Sequence, residues 1–315
     1  MPFQVTILGS NSAIPAYGRH HTAQYIQIQN KRFLVDCGEA TQNQMLHYHL
    51  SPQKLDAIFI SHLHGDHYLG LVGLLSSMHL QGRKNSLELY GPLGLREVLS
   101  LHFRYSDTTL RYKLNFHPVE AGKEMKIYED KVIEVHTIPL EHRIECNGFL
   151  FKEKPHPIRI NKDKLPKDIS LINIGRLKKG EDIFDTNGTL LYKNSDLTLP
   201  AYPQRSYAYC SDTKYLPHLK EQLQGVDLMY HEATFLDENE LRASNTFHAT
   251  AGQAAQLAKD SRAKKLLIGH FSARYKDLEP FEEEARKTFP ESYLALEGTT
   301  FEIPLVKEEA VSTQS

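Results

Sequence analysis

Short apolar runs alternate with turn clusters along the first half of the chain. Residues 3–8, 24–28, 32–36, 86–90, 114–119 and 131–138 read as strands. The run Ala57-Ile58-Phe59-Ile60 is wholly apolar, the pattern of a strand buried on both faces. Further strands are predicted at 206–210, 227–230 and 265–268. Helical periodicity predicts helices over 39–49, 66–80, 94–104, 214–224, 249–260 and 278–288. Strands followed by closing helices in each half predict two α/β halves packed sheet to sheet, within one domain over 1–315. The interval 151–180 breaks this pattern. It has weak apolar periodicity, three prolines (Pro155, Pro157, Pro166) and a net charge of +6, with Lys178 and Lys179 among its cations. It reads as a basic insert outside the core, although a charge run is also the ordinary signature of a solvated face. The polar stretch 307–315 reads as a disordered tail.

Composition changes this picture in two ways. With 37 Lys+Arg against 39 Asp+Glu the net charge is −2, so no large positive field is available for a nucleic-acid coat protein. The 17 histidines stand against only 3 cysteines (Cys37, Cys146, Cys210), too few and too scattered for a disulfide framework or a Cys-based zinc site. The start of the chain lacks a secretory signal pattern, and its apolar stretches are too short to span a bilayer. A cytoplasmic protein with no membrane role is the expectation.

The histidines matter where they cluster. Ser61-His62-Leu63-His64-Gly65-Asp66-His67 follows the buried run 57–60 and precedes a helical pattern. A single histidine is more often packed or exposed than ligating. Four imidazole and carboxylate donors at one strand-to-helix turn can converge on a single point, and that donor set suits zinc. Three more donors follow apolar strands directly: His142, Asp212 and His270. Strand ends are where α/β folds gather their active sites. A carboxylate such as Asp212 can bridge two ions, which predicts a dinuclear centre.

With these residues in hand, the chain resembles ribonuclease Z, a family of the metallo-β-lactamase superfamily. The ligand series His-x-His-x-Asp-His, His, Asp, His carries the superfamily likeness. The family likeness rests on Leu8-Gly9-Ser10 with Pro15 and Arg19, Val35 to Gln42, Glu141-His142 with Gly148-Phe149, His231 to Phe235, His248 to Ala255, and His270 to Tyr275. It runs over about residues 3–303.

The resemblance implies an αββα sandwich of two mixed sheets flanked by helices. It implies an endoribonuclease, a hydrolase that removes the 3′ trailer from tRNA precursors by metal-activated hydroxide attack. The products would be a 3′-hydroxyl on the tRNA and a 5′-phosphate on the trailer. His62, His64 and His142 would hold one zinc, Asp66, His67 and His270 a second, and Asp212 would bridge them; manganese or iron suits the same donors. Asp66 would also accept the proton of the attacking water. His248, oriented by Glu232, would protonate the leaving oxygen, and His231 would lie behind the ligands. Arg274 and Tyr275 would touch phosphate and base, their plain alternative being a surface loop. Residues 151–200 fall where the family carries a flexible tRNA-binding arm, with Lys178 and Lys179 as contacts. The family's Gly-Pro-rich tip is missing there, and Asn173-Ile174-Gly175-Arg176 stands nearby. A homodimer acting on precursor tRNA, with no role for DNA, is also implied. Two rival readings remain at this point: a small-molecule phosphodiesterase or other hydrolase of the same fold, and an inactive RNA-binding scaffold. Neither needs both the full ligand series and the basic insert.

Overall fold

The structure, a computed structural model, describes residues 1–306; the tail expected at 307–315 lies outside the described residues. Residues Met1–Lys152 and Ser206–Ile303 form one compact unit, and Glu153–Arg205 group apart from it with the stretch from Pro304.

The main unit holds two seven-stranded mixed sheets. The first contains β1 (Phe3–Gly9), β2 (Ala23–Ile28), β3 (Lys31–Val35), β4 (Ala57–Phe59), β5 (Leu87–Gly91) and β6 (Leu114–Pro118). The late strand β18 (Thr300–Glu302) pairs antiparallel with β1 on its edge. The second contains β7 (Lys126–Glu129), β8 (Ile133–Pro139), β9 (Asn147–Glu153), β14 (Ser206–Cys210), β15 (Leu228–Glu232), β16 (Leu266–Gly269) and β17 (Ser292–Leu294). The strand predicted at 131–138 therefore belongs to the second sheet, and the last strand returns to the first. β3, β4, β5 and β6 run parallel, as do β14, β15, β16 and β17.

Aromatic side chains fill the space between the sheets. Phe59 meets Phe149 with ring centres 5.4 Å apart, and Phe33 meets Phe151 at 5.8 Å. Helices α1 (Thr41–His47), α2 (Gly65–Leu80) and α3 (Gly94–Tyr105) cover the outer face of the first sheet, burying Met45, Leu71, Leu74, Leu75, Met78, Leu95 and Leu99. α7 (Ala251–Asp260) and α8 (Glu279–Thr288) do the same for the second. The short α6 (Glu240–Thr246) leads into the turn that carries His248.

One predicted helix does not form. Within 214–224 there is only a 3₁₀ turn, Pro217–Lys220. Proline disfavours helical backbone in the residue before it, and Leu216 sits at φ −122°, ψ 87°. The insert is a small folded piece: β10 (Arg159–Ile160) pairs with β13 (Thr198–Leu199), and β11 (Ile183–Phe184) with β12 (Leu190–Tyr192). With α4 (Leu171–Leu177) and α5 (Asn194–Leu197) these strands surround Leu177, Ile183 and Leu197. Asn173–Arg176 lie inside α4. At its two ends, Arg205 Nε and Nη2 each donate to the buried Glu153 carboxylate at 2.8 Å.

Candidate metal centre

Four strand ends of the main unit deliver the predicted donors, and a fifth carries Glu232. β4 runs into the turn that carries His62, His64, Asp66 and His67, the last two opening α2; β8, β14 and β16 deliver His142, Asp212 and His270. Glu232 closes β15. Because these strands end on one edge of their sheets, their side chains meet. His62, His64, His142 and Asp212 place one donor atom each within 4.8 Å of one another, and Asp66, His67 and His270 form a second such group.

The spacing inside the groups tests whether they fit metal ions. His64 Nδ1 lies 3.1 Å from His62 Nε2 and 3.0 Å from His142 Nε2. Asp212 divides its carboxylate between the groups: Oδ2 lies 3.7 Å from His62 Nε2 and 3.8 Å from His142 Nε2, while Oδ1 lies 3.3 Å from His67 Nε2 and 3.2 Å from His270 Nε2. Donors bound tetrahedrally at about 2.0–2.1 Å stand about 3.3 Å apart, so these are the separations of ligands around a common cation. Asp212 Oδ1 and His67 Nε2 are buried without a hydrogen-bond partner among the described residues. Orphaned buried donors of this kind call for an ion. The donors fit a binuclear site.

The opposite nitrogen of four of these donor imidazoles is held. His67 Nδ1 donates to Asp36 at 2.7 Å, His142 Nδ1 to the Phe247 carbonyl at 2.9 Å, and His270 Nδ1 lies 2.8 Å from Thr234 Oγ1. His62 Nδ1 lies 3.0 Å from Ser61 Oγ. Such contacts fix ring orientation and tautomer. Asp36, fully buried, also receives Ser61 N, Ser61 Oγ and Tyr209 Oη. Sequence reasoning quoted Asp36 in a motif but gave it no role, and Ser61 and Thr234 likewise. Asp36 and His270 both have left-handed backbone, φ 56° and 63°, an uncommon conformation for these residues that suits a built site.

Charge follows the same plan. Burial, with neighbouring imidazoles, lowers the pKa of His62 and brings His64 to about 4. Burial would raise the Asp66 and Asp212 carboxyls, but the imidazoles around them hold both well below the usual range. The carboxylates therefore stay ionised and these two imidazoles neutral, the states that bind a cation. At His248 burial opposes charge, and the Glu232 carboxylate, 2.7 Å from Nδ1, overrides it and raises the pKa to about 9. Glu232 also accepts from Thr213 N, Thr234 N and Thr234 Oγ1, so one buried carboxylate steadies His248 directly and His270 through Thr234.

The remaining predicted residues separate. His231 is buried, with Nδ1 on the Glu232 carbonyl, and stands outside the donor groups. Arg274 lines the open cleft of about 770 Å³ above the donors. Tyr275 is placed elsewhere: its ring packs edge-on against Phe281 and its hydroxyl accepts from Asn239 at 2.9 Å. Lys178 and Lys179 are exposed on the insert.

Comparison with known proteins agrees with this centre. A family description, anti-Pycsar protein Apyc1, matches residues 3–168, and a beta-lactamase superfamily domain matches 192–271. A ribonuclease Z of Cytophaga hutchinsonii is 51% identical over 305 residues, 96% of either chain. The chain belongs to the ribonuclease Z family. A second ribonuclease Z, from Bacteroides thetaiotaomicron, is 43% identical over 297 residues, 94% of either chain. The solved structure of human tRNase Z, short form, superposes with a TM-score of 0.70 at 26% identity, covering 96% of this chain and 99% of that one. The fold is the metallo-β-lactamase fold of that family, and the chain is a hydrolase, a tRNA 3′-processing endoribonuclease with a His/Asp metal site.

Proposed function

We propose that the centre holds two zinc ions and cleaves precursor tRNA to leave a 3′-hydroxyl on the tRNA and a 5′-phosphate on the trailer. The observation that carries the reading is Asp212, whose two oxygens face two separate imidazole groups. His62, His64 and His142 would hold one ion and Asp66, His67 and His270 the other, with Asp212 between them. Ions bound there supply Lewis acidity toward a phosphodiester oxygen and a nucleophile at neutral pH.

The chain's own residues do the rest. Water attacks phosphorus, the bond from phosphorus to the 3′ oxygen breaks, and Asp66 takes the proton the water loses. His248, protonated at neutral pH through Glu232, lies at the cleft wall and donates a proton to the leaving 3′ oxygen. Thr234 and Asp36 keep His270 and His67 in place.

Asp66→Ala tests this assignment. It should leave the protein folded and abolish cleavage of a precursor tRNA; near-normal turnover would remove the role. The family resemblance further supports a cytoplasmic homodimer whose insert, Glu153–Arg205, is a flexible arm that binds tRNA. A monomer in sedimentation at working concentration would contradict the dimer. The described residues contain no helix long and apolar enough to cross a membrane.

A further inference from the structure

Three arginines line the cleft above the donor groups: Arg143, Arg242 and Arg274. All three are exposed, and among the described residues none of their guanidinium groups has an ion pair or hydrogen bond. The ring of Phe235 lies 5.9 Å from the Arg242 guanidinium carbon. Several arginines elsewhere are engaged, Arg19 with Asn11 and two carbonyls, Arg83 with carbonyls around Leu55, Arg205 with Glu153 and Arg286 with Glu282, whereas these three combine a free guanidinium with a place on the cleft. Apart from the donor carboxylates, the acidic group on the cleft is Glu39, whose nearest ion-pair contact is His21 at 3.6 Å. Three free forks around one cleft therefore await an anion from outside the chain.

Their placement gives the anion a shape. Arg143 directly follows His142 of the first donor group. Arg242 sits on α6 with its guanidinium near Phe235, the residue after the Thr234 that contacts His270. Arg274 lies four residues beyond His270 of the second group. Positive charge thus lines the cleft that holds donors of both groups, where a strand crossing it would carry its neighbouring phosphates. A guanidinium offers phosphate a planar pair of donors and is always charged.

We infer that Arg143, Arg242 and Arg274 grip the phosphates that flank the scissile phosphodiester. This rests on the tRNA-processing reading and deepens it: the cleft reads an extended RNA backbone and not a lone phosphodiester.

The test compares Arg143→Gln, Arg242→Gln and Arg274→Gln on two substrates across a salt series. One is precursor tRNA; the other is a nitrophenyl phosphodiester, which has no flanking phosphates. Each variant should lose about tenfold in kcat/KM on precursor tRNA, as expected when a charged hydrogen-bonding contact is removed. The slope of log kcat/KM against log salt should become shallower by about 1 per lost contact. Hydrolysis of the nitrophenyl ester should stay within about twofold, which also shows that the variants fold. Arg143→Lys should keep the wild-type slope. Unchanged slopes, or an equal fall on both substrates, would overturn the assignment. A wild-type protein that hydrolyses the ester but leaves precursor tRNA intact would sink the functional reading itself, and this assignment with it.

Discussion

Asp36 ligates nothing in either donor group, yet it holds His67, Ser61 and Tyr209 in one buried cluster. Its carboxylate fixes the His67 ring, and second-sphere partners of this kind change metal affinity by about 10–100-fold when removed. Asp36→Asn should therefore bind zinc about 10–100-fold more weakly, measured by chelator competition, with its secondary structure intact. Unchanged affinity would make Asp36 a packing residue only. The donor groups themselves were legible in the sequence because four donors share a turn and three follow apolar strands. Asp36, Ser61 and Thr234 were not, since acidic and hydroxyl residues occur throughout the chain, and Asp36 meets Ser61 and His67, and Thr234 meets His270, across 25, 31 and 36 residues of sequence. Tyr275 adjoins Arg274 in the chain, and its ring packs against Phe281 of α8.

At the scale of elements, most interior strands were legible, as was β6 at a sheet edge, while the interior β9 and the edge strands β7, β17 and β18 were not. β4 is buried throughout, and its unbroken apolar run announced it. β7 and β18 lie at sheet edges with exposed and half-buried positions, so their patterns are weak, and β18 finds its partner β1 at the other end of the chain. The helix expected at 214–224 failed at Pro217. The turn between β7 and β8 supplies an element-level prediction. Burial would raise the Asp130 pKa, but backbone donors from Val132 and Ile133, with Lys31 and Tyr128, lower it. A carboxyl depressed in the folded state stabilises above its unfolded pKa of about 4, and that stability is lost as pH falls through the folded value. Asp130→Ala should cost about 1–2 kcal/mol at pH 7, with the gap to wild type narrowing toward pH 3 in denaturation experiments. A gap that stays constant with pH would exclude the charge as its cause.

For the whole molecule, the net charge of −2 conceals an uneven distribution. The basic interval 151–180 carries +6, but later acidic residues reduce the complete insert Glu153–Arg205 to +3. The small core of this insert was hidden in the sequence because Leu177, Ile183 and Leu197 are scattered through a polar stretch with no regular apolar period. β9 and β14 pair up to Lys152 and Ser206, so the insert can be replaced by a short linker without cutting that ladder. Its removal should raise KM for precursor tRNA and leave hydrolysis of a nitrophenyl phosphodiester intact; loss of both would make the insert part of the fold. The central claim is that this binuclear centre cuts precursor tRNA at its 3′ trailer. Mapping both new ends after incubating the zinc-loaded protein with a trailer-bearing precursor tests it most directly. The account predicts a 3′-hydroxyl on the tRNA and a 5′-phosphate on the trailer, while an uncut precursor alongside turnover of a cyclic nucleotide would contradict it.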